Sequence, residues 1–398
     1  MDNHGTTTQI IQGSALAVLK RMPLGIAQTI ITSPPYFGLR NYHTEPQVWG
    51  GDHDCQHAWS EYPIAPASGG IGNSTLGTVS GGHAISPQGL VRSQHRQQRG
   101  TGSASWCRCG AWRGELGLEP TITYYVQHLV EVFREAKRVL RDDGTLWLNL
   151  GDSYFGDSPT RTRSAEAFSQ AWDPTQTRSR GGARRSAAKM DGCKPKDLIG
   201  IPWRVALALQ ADGWCLRADM IWHKPNVMPS SAKDRPTLAH EHLFLLAKSR
   251  RYYFDLHAIK EPYDRPLGRW GGPAKRLTDH VKPGSHYAAA HRARLMRPDE
   301  RGRHPRSVWT IPTQPFPGAH FATFPPKLVE PCVRAGSRPG DLVLDPFCGS
   351  GTAGVVAQAL DRRFVGIELK PEYCEMARRR IAEQAPLVEQ PELITSSR

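Results

Sequence analysis

Leu342-Val343-Leu344-Asp345-Pro346-Phe347-Cys348-Gly349-Ser350-Gly351-Thr352 is the stretch on which the fold turns. An apolar run ends in a carboxylate, glycines that let a backbone approach a ligand closely come next, and a helix-compatible segment begins at Thr352. A buried strand feeding a helix through such a turn has the form of a nucleotide-binding site. Glu368 closes the following apolar run about 20 residues on, where a carboxylate can accept hydrogen bonds from both hydroxyls of a ribose. By pattern alone, the alternative is a glycine-rich βα turn without a ligand. The sequence G-x-x-x-x-G-K-[ST] does not occur, which removes the P-loop reading.

Around this stretch the chain alternates cleanly. Helices are predicted over Pro326 to Ala335, Thr352 to Leu360 and Pro371 to Gln384, with strands over Asp341 to Asp345 and Arg363 to Glu368. Near the start, Ile10-Ile11, a helical stretch Ala15 to Lys20 and the run Thr29-Ile30-Ile31 read as strand, helix, strand, ended by the rigid Pro34-Pro35 pair. Val126, Leu129, Val130, Phe133, Val139 and Leu140 stand at helical spacing, so a helix is expected from Tyr124 to Arg141. Asp142-Asp143-Gly144 should stop it before a strand over Thr145 to Leu150. A helix over Pro202 to Gln210 and strands over Leu216 to Trp222 and His242 to Ala247 follow. The expectation is one α/β catalytic domain spanning the chain, interrupted by insertions. Residues 58–106 and 156–196, rich in Gly, Ser, Gln and Arg with little periodicity, read as low-complexity insertions outside the core.

Asp345-Pro346-Phe347-Cys348-Gly349-Ser350-Gly351-Thr352 resembles the D-P-F-x-G-S-G-T motif of the S-adenosylmethionine-dependent amino-methyltransferases of DNA. The resemblance implies a Rossmann-like methyltransferase fold: a mixed, mostly parallel sheet with helices on both faces. It also implies S-adenosylmethionine as cofactor, backed by Phe347, with Gly349, Ser350, Gly351 and Thr352 around its methionine portion. By the same resemblance Glu368 holds the ribose and Asp345 helps to place the ammonium group. His320-Phe321-Ala322-Thr323-Phe324-Pro325 resembles a further cofactor-contacting motif of the family, which adds Phe324.

An exocyclic amine on cytosine or adenine is a poor nucleophile, because its lone pair is delocalised into the ring. Acceptors aimed at its two N–H bonds favour a pyramidal nitrogen, and fixed geometry then presents that nitrogen to a methyl donor. Thr32-Ser33-Pro34-Pro35-Tyr36 supplies the parts: the Ser33 hydroxyl and Pro34 carbonyl as acceptors, Pro34 and Pro35 as locks, and Tyr36 as a stacking surface. No covalent intermediate is required, and the base must leave the duplex stack to reach the loop. T-S-P-P-Y resembles the cytosine-N4 form of the family, whereas adenine-N6 enzymes usually carry Asp or Asn at the position of Ser33. The adenine-N6 reaction is the alternative. The catalytic loop precedes the cofactor loop, which is the circularly permuted order of the family's β group and implies a target-recognition region between them. Residues 260–306 fall there, with twelve Lys or Arg against five Asp or Glu, interleaved with Tyr263, Trp270 and Tyr287.

Lys and Arg outnumber Asp and Glu by 51 to 37 over 398 residues, a formal charge of +14 that implies a polyanionic partner or a positive surface kept for solubility. Double-stranded DNA is expected. The resemblance leaves open a cognate restriction endonuclease or none, and a homodimer. With no apolar run of membrane-spanning length and no basic leader at Met1 to Gln12, a cytoplasmic, nucleoid-associated protein without a membrane partner is expected. Eight cysteines are too few for a disulfide scaffold in a chain of this size. Cys55, His57, Cys107 and Cys109 form two close pairs that make a candidate Cys3His site for structural zinc, with His53 as an alternative ligand; one intervening residue in each pair is an unorthodox spacing, and unrelated surface cysteines are the other reading. Three rival functions remain on sequence alone. Pro331-Cys332 offers the dipeptide of cytosine-C5 methyltransferases, but before the cofactor loop rather than after it. A non-catalytic DNA-binding protein on this fold, or methylation of RNA or protein amines, are the others.

Overall fold

In the computed structural model of the chain, the described residues are 8–39, 42, 44–52, 54–60, 105–155, 191–262, 302–314 and 324–384. In chain order they form β1 (Thr8–Gln12), α1 (Ala15–Arg21), β2 (Ala27–Thr32), β3 (Gln47–Trp49), β4 (Ser105–Trp106), β5 (Trp112–Gly114), α2 (Ile122–Val139) and β6 (Leu140–Leu150). There follow α3 (Ile201–Ala211), β7 (Cys215–His223), β8 (His240–Ala247), β9 (Val308–Thr310), α4 (Pro326–Gly336), β10 (Leu342–Asp345), α5 (Thr352–Ala359), β11 (Arg363–Glu368) and α6 (Pro371–Gln384).

The main sheet runs β1-β11-β10-β2-β6-β8-β7-β9. All neighbours from β1 to β6 are parallel, β8 is antiparallel to both β6 and β7, and β9 is parallel to β7. Strands covered on both faces need apolar side chains in both directions, and the period of two sorts them. Ile30, Leu146, Leu148, Leu344, Phe244 and Leu246 pack with α1, α2 and α3. Ile31, Trp147, Val343, Leu243 and Leu245 pack on the opposite face with α4, α5 and α6. The expected mixed, mostly parallel sheet with helices on both faces is thus the observed one. Its permuted order has a physical meaning: β10, near the end of the chain, sits beside β2, near its beginning, with Val343 opposite Thr29 and Leu344 opposite Ile30.

α2 illustrates how sequence pattern makes packing. Ile122, Tyr125, Leu129, Val132, Phe133, Ala136 and Val139 recur at three- and four-residue intervals and are buried. Each large apolar side chain so covered contributes about 1.5–3 kcal/mol before entropy is counted. The Thr121 side chain caps the helix by accepting from the Tyr124 amide at 3.2 Å.

Two expectations are corrected. Asp142-Asp143-Gly144 is not a turn after the helix; α2 ends at Val139 and β6 starts at once, with Leu140 opposite Ala27 and Thr145 opposite Thr29. The extra residues form a bulge held by remote partners: the Gln28 side-chain amide donates to Asp143 Oδ1 at 3.2 Å and the Lys248 and Tyr253 backbone amides donate to the Gly144 and Asp143 carbonyls. A Cβ on Gly144 would stand 2.9 Å from the Arg141 carbonyl oxygen, which explains the glycine. The second correction concerns the edges of the two low-complexity stretches. Trp106 is buried and meets the Tyr124 ring at 5.0 Å, in a small antiparallel sheet β3-β5-β4. Cys193 is buried, and Asp191 accepts from the Thr123 amide at 2.9 Å. The rims of the polar stretches are thus part of the packed structure, Trp106 on α2 and Cys193 beside Arg204 of α3. Residues 61–104, 156–190 and 263–301 lie outside the described residues, and with them most of the expected recognition region. At its rims, Arg303 and Arg306 pair with Glu261 at 3.1 and 3.0 Å. Among the described residues, no helix is long and apolar enough to cross a membrane.

Candidate active site

The carboxyl ends of β10 and β2 emerge side by side, and a hydrogen bond ties them together. Thr32 Oγ1 donates to Asp345 Oδ1 at 2.6 Å, and the same oxygen accepts the Phe347 amide at 3.0 Å. Asp345 is 1% exposed, and burial holds its carboxyl up at about 7. Beyond it the chain turns through Gly349 (φ 51°) and Gly351 (φ 80°), left-handed conformations that side chains resist. Glu368 Oε2 accepts the Gly349 amide at 2.9 Å while Oε1 accepts the Lys370 amide at 2.9 Å. Burial raises the Glu368 carboxyl from its ordinary value. Arg380 closes the turn from below, donating to the Ser350 and Thr352 hydroxyls at 2.9 Å each.

Across the gap, the Ser33–Tyr36 loop is fixed at both ends of its tyrosine. The Tyr36 hydroxyl donates to Glu241 Oε2 at 2.8 Å, accepts from the Ser33 hydroxyl at 3.3 Å and lies 3.2 Å from Asn149 Oδ1. Burial, followed by the Glu241 charge, pushes the phenol well above its usual range, so it stays a donor. Glu241 in turn pairs with Lys224, whose ammonium lies 4.1 Å from the centre of the Trp222 ring. The Pro35 carbonyl is taken by the Tyr125 hydroxyl at 2.8 Å. No partner for the Pro34 carbonyl exists among the described residues. A Cβ on Gly151 would meet Tyr36 Cε2 at 2.6 Å, so only glycine admits the ring at that approach.

One cavity of about 640 Å³ joins the two halves. Its wall includes Ser33, Pro34, Pro35 and Tyr36, then Phe347, Gly349, Ser350, Thr352 and Glu368, with Phe324 beside them. Every expected catalytic residue and most of the expected cofactor residues therefore meet in one place. Two stand behind the wall. Asp345 holds the loops to each other from beneath, and Gly351 faces α6, where a Cβ would lie 3.0 Å from that of Ala377. Of the His320–Pro325 motif, Phe324 and Pro325 are described. Cys55, His57, Cys107 and Cys109 do gather, their ligand atoms all within 4.8 Å of one another, but outside the cavity wall. Cys332 is fully buried in α4, its thiol donating to the Leu328 carbonyl at 3.3 Å, and it does not line the cavity. The thiol on which the cytosine-C5 reading depends is thus away from the cavity wall.

Sequence reasoning missed Asn149, Glu241, Lys224, Trp49 and Leu116, all on the wall. For Asn149 a signal existed: it lies at the carboxyl end of a strand beside the catalytic one, where ligands of open α/β sheets bind. For Glu241 there was less. It begins an antiparallel strand whose start shares that sheet edge, and the apolar pattern shows only from Leu243 onward.

Comparison with known proteins identifies the setting. The profile of a family described as DNA methylase, covering N6 and N4 enzymes, matches residues 27–379. The Type II methyltransferase M.Cfr9I of Citrobacter freundii is 39% identical over 375 residues, covering 94% of this chain and 87% of its own. M.SmaI of Serratia marcescens, also a Type II methyltransferase, is 45% identical over 269 residues, or 67% of this chain and 77% of its own. Among solved structures, the PvuII DNA methyltransferase (cytosine-N4-specific) superposes with a TM-score of 0.50 at 16% identity, over 95% of this chain and 92% of its own, which shows the fold. With the sheet order, the joined loops and a profile that covers most of the sequence in agreement, the chain belongs to the N6/N4 family of DNA methylases, whose cofactor is S-adenosylmethionine.

Proposed function

We propose that this chain methylates the exocyclic N4 amine of cytosine in duplex DNA, with the target base turned out of the helix into the cavity beside Tyr36. The observation that carries this reading is the single cavity bounded on one side by Ser33, Pro34 and Tyr36 and on the other by the Phe347–Thr352 turn and Glu368.

The donor set fits the cofactor. Backbone amides fix both Glu368 oxygens at the cavity wall, and a carboxylate, with about four acceptor sites, has capacity left for ribose hydroxyls. Phe347 and Phe324 supply apolar surface, and the amides and hydroxyls of Gly349, Ser350 and Thr352 supply polar contacts. S-adenosylmethionine supplies, when bound, an electrophilic methyl group on a sulfonium. The protein's part is to make the amine nucleophilic and to aim it. With the Pro35 carbonyl already committed to Tyr125, the Pro34 carbonyl and the Ser33 hydroxyl remain as acceptors for the two N–H bonds. Such acceptors draw the nitrogen toward a pyramidal geometry and restore its lone pair. Tyr36, held by Glu241, presents a fixed ring for the base to stack on.

Cytosine is favoured over adenine because Ser33 stands where adenine enzymes of the family usually carry Asp or Asn. The relatives' names, Type II methyltransferases, support a role in restriction-modification, with a cognate endonuclease reading the same site. The test is methyl transfer from labelled S-adenosylmethionine to duplex DNA, followed by nucleoside analysis. N4-methyldeoxycytidine is expected. N6-methyldeoxyadenosine would overturn the choice of base, and label in RNA but not DNA would overturn the substrate.

A further inference from the structure

We propose that Cys55, His57, Cys107 and Cys109 bind one structural zinc ion, and that this ion fixes the wall of the cavity formed by β3. The proposal of a metal rests on distances. A tetrahedral zinc site with Zn–S near 2.3 Å and Zn–N near 2.0 Å requires its ligand atoms to stand about 3.5–3.8 Å apart. The Cys55 and Cys107 sulfurs are 3.7 Å apart, and Cys109 Sγ is 3.4 Å from His57 Nδ1. All four ligand atoms fall within 4.8 Å of one another. Three thiols and an imidazole converge at this spacing although Cys55, His57 and Cys109 are only half-buried. Soft sulfur and imidazole donors with no carboxylate in the set select zinc over magnesium or calcium. Four protein ligands leave no open position, so the ion is structural.

The local backbone is built to deliver the ligands. Cys107 and Cys109 sit on a tight turn in which the Gly110 amide donates to the Cys107 carbonyl at 3.0 Å and the Cys107 amide to the Ala111 carbonyl at 2.9 Å. Gly110 takes φ 90°, which the turn requires. The Cys55 amide donates to the Asp52 carbonyl at 3.2 Å, so the other pair is held by a turn as well. β3, β4 and β5 have two or three residues each, too few pairings to close the span between Cys55 and Cys107 unaided. A metal bound only by the folded state adds its binding free energy to that closure.

The consequence reaches the active site through β3. Trp49 and Gln47 line the cavity, and Trp49 Nε1 donates to the Gly114 carbonyl at 3.2 Å. The Trp49 ring stacks on His128 at 5.0 Å, His128 pairs with Glu119 at 3.0 Å, and Glu119 accepts the Gly117 amide at 2.8 Å. The Gly117 carbonyl accepts the Gly38 amide at 2.8 Å, two residues past Tyr36. Loss of the ion therefore loosens the base-binding wall more than the glycine turn. This second step rests on the function proposed above; the first does not.

The test begins with metal content, which is independent of methyl transfer. The full chain, purified with zinc and dialysed, is expected to hold one zinc per chain by plasma mass spectrometry. Cys215→Ser, at a cysteine outside the cluster, should retain it, and Cys107→Ser should lose it. Cobalt substitution should give thiolate-to-metal charge transfer and tetrahedral ligand-field absorption, with the charge transfer strengthened in His57→Cys, which keeps four ligands should Cys107→Ser fail to fold. Metal-free purified protein, zinc unchanged in Cys107→Ser, or a Cys55–Cys107 disulfide found by peptide mapping would each overturn the site. For the wall, chelation should raise KM for DNA about tenfold with S-adenosylmethionine affinity within about twofold, reversibly on adding zinc. Equal loss of both would overturn that step.

Discussion

Thr32 donates a 2.6 Å hydrogen bond to Asp345 across 313 positions of sequence, and through it the catalytic loop and the glycine turn share one carboxylate oxygen. Thr32 immediately precedes Ser33, and Phe347, whose amide reaches the same oxygen, backs the other half of the cavity. A hydrogen bond to an ionised acceptor is worth about 1.5–3 kcal/mol and to a neutral one about 1. Thr32→Val should therefore cost about 2 kcal/mol at pH 8 and less at pH 5, in urea unfolding. It should also lower kcat more than S-adenosylmethionine affinity, because the residue it frees is Ser33. Equal loss of stability at both pH values would mean that Asp345 is not ionised at pH 8.

Burial sets the sign of a second pH effect. Asp345 titrates at about 7 in the folded chain, against 3.8 for an ordinary Asp. Between these values the folded state holds a proton that the unfolded state has released, so this group's contribution to stability falls as pH rises from about 4 to 7 and is level above. At 1.36 kcal/mol per unit the whole effect is on the order of 4 kcal/mol. Asp345→Asn keeps the accepting oxygen for Thr32 and Phe347 and removes the titration. Relative to the parent chain, the variant should gain stability between pH 5 and pH 8 by about 2–3 kcal/mol. Parallel unfolding curves at the two pH values would contradict the buried, proton-binding carboxylate.

The two ends of this arrangement were legible for different reasons than its middle. Asp345, Gly349 and Glu368 announce themselves because strand, turn and helix are local, and local geometry restricts residue choice. Ser33 to Tyr36 is legible through its prolines. Glu241 is not, since its role comes from the antiparallel insertion of β8 beside β6, a pairing that no local pattern encodes. The bulge at Arg141–Gly144 was hidden likewise, because its hydrogen-bond partners, Gln28 and Lys248, are remote in sequence. Asp345 shows the limit from the other side: the motif identified the residue, but only the structure separates lining the cavity from bracing the loops beneath it.

Cys332 distinguishes this chemistry from a covalent route. Its thiol is fully buried and bonded to the Leu328 carbonyl, so Cys332→Ala should cost about 1 kcal/mol of stability and leave methyl transfer within about twofold. Abolished transfer in a folded Cys332→Ala chain would revive the cytosine-C5 mechanism.

Ser33 carries the opposite expectation. Removing a single hydrogen-bonding group aimed at the reacting centre typically costs a factor of about 10² to 10³ in kcat. Ser33→Ala should show that loss, with S-adenosylmethionine binding, measured by calorimetry, within about twofold, because Glu368 and the glycine turn are untouched. A proportional fall in cofactor affinity would place Ser33 on the wrong side of the cavity.

Gly151→Ala tests whether the position of the Tyr36 ring itself matters. The added methyl would lie 2.6 Å from Tyr36 Cε2, closer than packed carbons ever stand, and 3.4 Å from Glu241 Oε1. The ring cannot swing aside freely, because its hydroxyl is held by Glu241 and touches Ser33 and Asn149. Either the ring shifts and the hydroxyl network breaks, or β6 moves at its end. Overpacking of this kind costs about 1–3 kcal/mol. A displacement of even 1 Å in a positioning group can lower rate about a hundredfold. The expected result is a folded enzyme with kcat reduced at least tenfold and cofactor affinity retained. Tyr36→Phe, which keeps the ring and removes the hydroxyl, separates the two causes: if the network rather than the ring is what the methyl disrupts, both variants lose kcat to the same degree and the double variant loses little more. Full activity in Gly151→Ala would mean that the base does not depend on that ring for its place.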